Sequence, residues 1–129
     1  MRVLVANEPR SYREAFAFAF RTLRPHVEAI VVEPEALERE ALRLRPDLVV
    51  CDRVTPAVAA ITRSWMEVRV ENEALVAASD SLAPGARDVS LDDLLAFIDR
   101  NEEATERADT VSEGMDAENR RTSSPPGIS

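Results

Sequence analysis

RPDLVVCDRVTP, residues 45–56, decides the fold. Leu48, Val49, Val50 and Cys51 run without a polar break between Asp47 and Asp52. So short an apolar run reads as a strand covered on both faces, which is how strands of a parallel sheet are placed. Pro46 pushes Arg45 out of the helical region, so any helix before this strand ends there. Beyond Asp52, the segment PAVAAITRSW (56–65) predicts a short helix.

Working toward the N-terminus, EPEALEREALRL (33–44) places Leu37, Ala41 and Leu44 on one helical face, with Pro34 at its start. Arg39, Arg43 and Arg45 alternate with Glu35, Glu38 and Glu40, which marks the other face as solvated. HVEAIVV (26–32) is a second strand and RVLVA (2–6) a first. Between them, Tyr12, Phe16, Ala19, Phe20 and Leu23 share a helical face. AFAFAF (15–20) also alternates with period two, but its alanines and its flanks favour helix. Phe18 points away from that stripe. Ser11 and Glu14 have capping-box spacing. The order βαβαβ predicts a parallel sheet with right-handed crossovers.

Toward the C-terminus the pattern changes. Met66–Val70 alternates apolar and charged residues, and Asn72-Glu73 is a turn into ALVAAS (74–79), a pattern that predicts an antiparallel hairpin. Ala83-Pro84-Gly85 is a loop. Ser90 and Asp93 form a second box ahead of Leu91, Leu94, Leu95 and Ile98, a helix expected to end near Arg100. Residues 101–129 lack a sustained apolar period. They are expected to form an acidic, disordered tail, with some helical extension toward Arg107, behind an α/β domain at 1–100.

Composition excludes several chemistries. The 129 residues carry a net charge of −8, against the basic balance that nucleic-acid backbones require. No apolar run is long enough for a membrane span, and no secretory pattern opens the chain, so a cytoplasmic location is expected. Cys51 and His26 are each the sole residue of their kind, which leaves no disulfide and no multi-histidine metal site. Lysine is absent, which removes Schiff-base chemistry. Gly85 is the one glycine within residues 1–100, so no glycine-rich phosphate loop exists and a flavin or nucleotide enzyme is not expected.

In an open α/β sheet, ligands meet the carboxyl ends of the strands. Asn7-Glu8, Asp52 and Ser79 stand at such ends here. VLVANEPRSYREAF (3–16) and RPDLVVCDRVTP (45–56) resemble the opening strand and the central strand of response-regulator receiver domains. DVSLDDLLAFID (88–99) resembles the segment after that family's basic residue. The resemblance implies a flavodoxin-like, CheY-like sheet with flanking helices and a shortened second half. It implies Asp52 as phosphoacceptor, Glu8, Asp52 and the Val54 carbonyl as ligands of Mg²⁺, and Asn7 holding a metal-bound water. Ser79 and Arg87 would meet the phosphoryl group. The metal would offset the repulsion between a carboxylate nucleophile and the phosphoryl oxygens.

The chain also departs from that pattern. Asn7 replaces an acidic residue, Arg87 stands nearest the missing lysine, and Asp88 stands where the family has proline. The fourth helix and fifth strand are expected to be reduced. The resulting expectation is a stand-alone pseudo-receiver, not an enzyme. It would act in two-component signalling or a phosphorelay through a histidine kinase, another signalling protein or a second copy of itself. The alternative is a working Mg²⁺-dependent receiver phosphorylated on Asp52.

Overall fold

A computed structural model describes residues 1–80 and 87–122, with side chains described as far as Arg107. The strands are β1 (Arg2–Val5), β2 (Glu28–Val31), β3 (Leu48–Cys51), β4 (Trp65–Glu71), β5 (Ala74–Ser79) and β6 (Arg87–Val89). The helices are α1 (Arg10–Leu23), α2 (Leu37–Leu44), α3 (Pro56–Ile61) and α4 (Leu91–Thr122), with a 3-10 turn at Pro34–Ala36 before α2. All six strands form one mixed sheet in the order β2-β1-β3-β4-β5-β6. The first four pair in parallel; β5 and β6 are antiparallel additions.

Alternation along each strand divides the core between the two faces of the sheet. Val3, Val5, Leu48, Val50, Met66, Val68 and Ala77 meet Phe20 of α1 and Leu94, Phe97 and Ile98 of α4. Leu4, Ala6, Val49 and Cys51 meet Leu37 and Ala41 of α2 and Val58 of α3. Covering on both faces explains why β1 and β3 read as unbroken apolar runs. No β4 or β5 residue belongs to the second cluster, so the buried contacts of α2 and α3 are with β1 and β3.

Local chemistry accounts for most boundaries. Thr55 Oγ1 accepts from the Val58 amide at 3.2 Å and caps α3. Arg45 adopts a left-handed conformation (φ 50°) and closes α2 ahead of Pro46. Ser90 and Asp93 form the expected reciprocal box, at 2.8 Å and 3.2 Å. The Ser11–Glu14 box does not form: α1 starts at Arg10 behind Pro9, and Glu14 bonds Arg10 Nε at 2.7 Å instead. The Arg21 guanidinium donates to the Ala29 carbonyl, covering the outer edge of β2. Phe18 lies 70% exposed on α1, off the buried stripe.

The helix expected to stop near Arg100 continues to Thr122. Its first residues past Arg100 have partners that composition alone does not reveal. Asn101 Nδ2 donates to the Phe97 carbonyl, Glu102 meets His26 Nε2 at 3.0 Å, and Glu103 pairs with Arg107. The predicted loop at 83–85 lies outside the described residues. Among the described residues no helix stands between β4 and β6. No described helix is long and apolar enough to cross a membrane.

Candidate functional site

Asp52 follows the last residue of β3, at the carboxyl edge of the parallel strands. Two neighbours hold its carboxylate. The Glu8 amide donates to Oδ2 at 2.9 Å, and Asn7 Nδ2 donates to Oδ1 at 3.3 Å. Asn7 is fully buried, and the same Nδ2 donates to the Val68 carbonyl of β4 at 2.8 Å. Because β3 lies between β1 and β4, Asn7 reaches across the end of β3 to do this. Arg13 of α1 donates to the Asn7 carbonyl at 3.3 Å and so ties α1 to the turn. Asn7 Oδ1 and Arg13 Nε are buried without a hydrogen-bond partner among the described residues.

Glu67, a residue the sequence pattern did not single out, completes the surroundings. It pairs in register with Cys51, and its Oε2 accepts from the Val54 amide at 2.8 Å. It therefore fixes the backbone two residues past Asp52. Its signal in the sequence is only the alternation of MEVRV; what brings it to Asp52 is the parallel pairing of β4 with β3. Burial, and then the charges of Glu67 and Asp52, push the Cys51 thiol up to about 12. It is a core residue here, as its apolar run implies.

Beside these residues lies a cavity of about 390 Å³ whose lining includes Ala6, Glu8, Cys51, Asp52, Arg53 and Val58. Glu8 is exposed there and Asp52 half-buried, so the structure brings these two expected ligands to one place.

Ser79 and Arg87 lie elsewhere. β5 is antiparallel, so its carboxyl end points to the opposite edge of the sheet. Ser79 pairs with Met66, which itself stands level with Val50, below the Asp52 edge. Its neighbourhood is the far edge, where Asp80 accepts from Ser64 Oγ at 2.9 Å. Arg87 sits in β6 opposite Ala77, against a separate cavity lined by Leu94, Phe97 and Arg100 of α4. Asn7, Glu8 and Asp52 therefore share the carboxyl edge of β1 and β3, while Ser79, at the end of an antiparallel strand, does not join them.

As placed, Asn7 turns an N–H toward Asp52, where the expected metal-bound water would need an acceptor. Among the described residues no three His, Cys, Asp or Glu side chains are placed to hold a metal ion. No protein-family model, curated protein or solved structure matches this chain.

Proposed function

We propose that this chain is a receiver-like regulatory protein that acts through protein–protein contacts and does not depend on phosphorylation of Asp52. The strand order β2-β1-β3-β4, with Asp52 and Glu8 at neighbouring carboxyl ends, supports the receiver-like reading. One observation carries the phosphate independence. The Asn7 amide donates to the carboxylate that the resemblance would have bind a cation, and Ser79 and Arg87 are on other parts of the sheet. Its partner would be a signalling protein or a second copy of the chain, since the net charge of −8 argues against nucleic acid.

The second reading, a Mg²⁺-dependent phosphoacceptor at Asp52, draws on the shared cavity of Glu8 and Asp52. Incubation with acetyl phosphate and Mg²⁺, read by intact-mass spectrometry against Asp52→Asn, separates the two. No added phosphoryl group is expected. A phosphoryl group present in the native chain and absent from Asp52→Asn would overturn the first reading in favour of the second.

A further inference from the structure

We infer that the Asp52 site is closed from within: the Asn7 amide takes the role of a cation, and the Glu67 carboxylate takes the role of a bound anion. This inference rests on the phosphate-independent reading and says how that independence is built.

A carboxylate at the end of a buried strand needs positive charge or N–H donors around it. Asp52 has donors on both oxygens, from Asn7 Nδ2 and the Glu8 amide. An acidic side chain at position 7 could supply neither the bond to Asp52 nor the one to the Val68 carbonyl. It would set a second carboxyl against Asp52 in a fully buried position, where a cation or a retained proton would have to offset the repulsion. Asparagine thus makes the arrangement stable without either.

The Val54 amide is the complementary half. Any free N–H in the loop after Asp52 could serve an anion held there. The Val54 N–H lies in that loop, and Glu67 Oε2 already accepts from it at 2.8 Å, within the range of charge-assisted bonds. Glu67 is anchored in β4 by its pairing with Cys51, so this internal anion comes from the sheet and not from a mobile loop. Both groups together fix residues 52–54 in a single arrangement.

The test combines amide exchange with ligand titration. In Glu67→Ala the Val54 amide should exchange on the order of tenfold faster than in the native chain, the loss of one charge-assisted bond. Glu67→Gln keeps an acceptor and should retain most of the protection. In Asn7→Asp combined with Glu67→Ala, Mg²⁺ with beryllofluoride should raise the melting temperature, while the native chain shows no response. Unchanged Val54 exchange in Glu67→Ala overturns the inference, whether or not the double variant folds. So does a folded double variant indifferent to Mg²⁺ and beryllofluoride. A native chain that binds beryllofluoride at Asp52 would instead overturn the phosphate-independent reading itself.

Discussion

Asn7 and Val68 are joined over the end of β3: the buried amide of one donates to the backbone carbonyl of the other at 2.8 Å. Strand β4 runs to Glu71 while β3 stops at Cys51, so a ladder carbonyl of β4 is left without a β3 partner. A buried carbonyl must be paired. Asn7, from the next strand over, supplies the missing donor.

Asn7→Ala should therefore destabilise the fold more than a surface substitution does. It leaves the Val68 carbonyl buried without a donor, and removes one of the two bonds to Asp52. A loss of about 2 kcal/mol is expected, the usual cost of one buried unsatisfied acceptor. Urea unfolding with an unchanged m-value would measure it; a change below about 0.5 kcal/mol, the ordinary surface effect, would contradict this role.

The β4–β5 turn invites a gain. Asn72 and Glu73 both have positive φ, 51° and 65°, in a two-residue hairpin loop. That geometry suits Asn-Gly, and glutamate bears a steric cost there. Glu73→Gly should stabilise the chain by about 0.5–1 kcal/mol, after the added freedom of glycine in the unfolded chain is counted. Thermal denaturation should show a higher midpoint, and a lower one would contradict the turn assignment.

How much of this was legible depends on the kind of contact each feature needs. Leu48–Cys51 announced β3 because burial on both faces leaves a local signature in the sequence. Ser90 and Asp93 announced the start of α4 because their bonds span three residues. The hairpin around Asn72-Glu73 was legible from alternation and turn. Pairing partners were not. Nothing local says that β4 joins β3 in parallel, and that pairing both brings Glu67 beside Cys51 and sends the end of β5, with Ser79, to the far edge. Likewise, Glu102 extends α4 by meeting His26, a residue 76 positions away.

Acid should weaken the fold through the exposed carboxyl of Asp93 and the half-buried one of Asp99, at the two ends of the buried part of α4. The Arg24 guanidinium, bonded to both oxygens of Asp99 at 2.8 and 2.9 Å, holds that carboxyl below its ordinary value of 3.8. The Ser90 amide and hydroxyl do the same for Asp93. A carboxyl lowered in the folded chain binds fewer protons there than in the unfolded chain. Its contribution is full above its ordinary value and is lost as pH falls through the folded value. Solvent screening keeps each effect small. Asp99→Asn and Asp93→Asn should each flatten the acid limb of the stability profile below pH 4. Equal slopes in native and variant chains would show that these bonds do not persist in solution.

Cys51 gives the alkaline counterpart. Its thiol is pushed up to about 12, first by burial and then by the nearby Glu67 and Asp52 charges. Between its ordinary value of 9.0 and about 12, the folded chain keeps a proton that the unfolded chain releases. That contribution is full below pH 9 and is lost as pH climbs toward 12. The thiolate is the form that attacks a disulfide reagent, so at pH 8 reaction in the folded chain should be much slower than for a free thiol. Burial of the sulfur slows it further. In denaturant the same cysteine should react at the ordinary rate. Ready modification of the native chain at pH 8 would mean that the edge of the sheet at Asp52 opens far more often than its internal bonds imply.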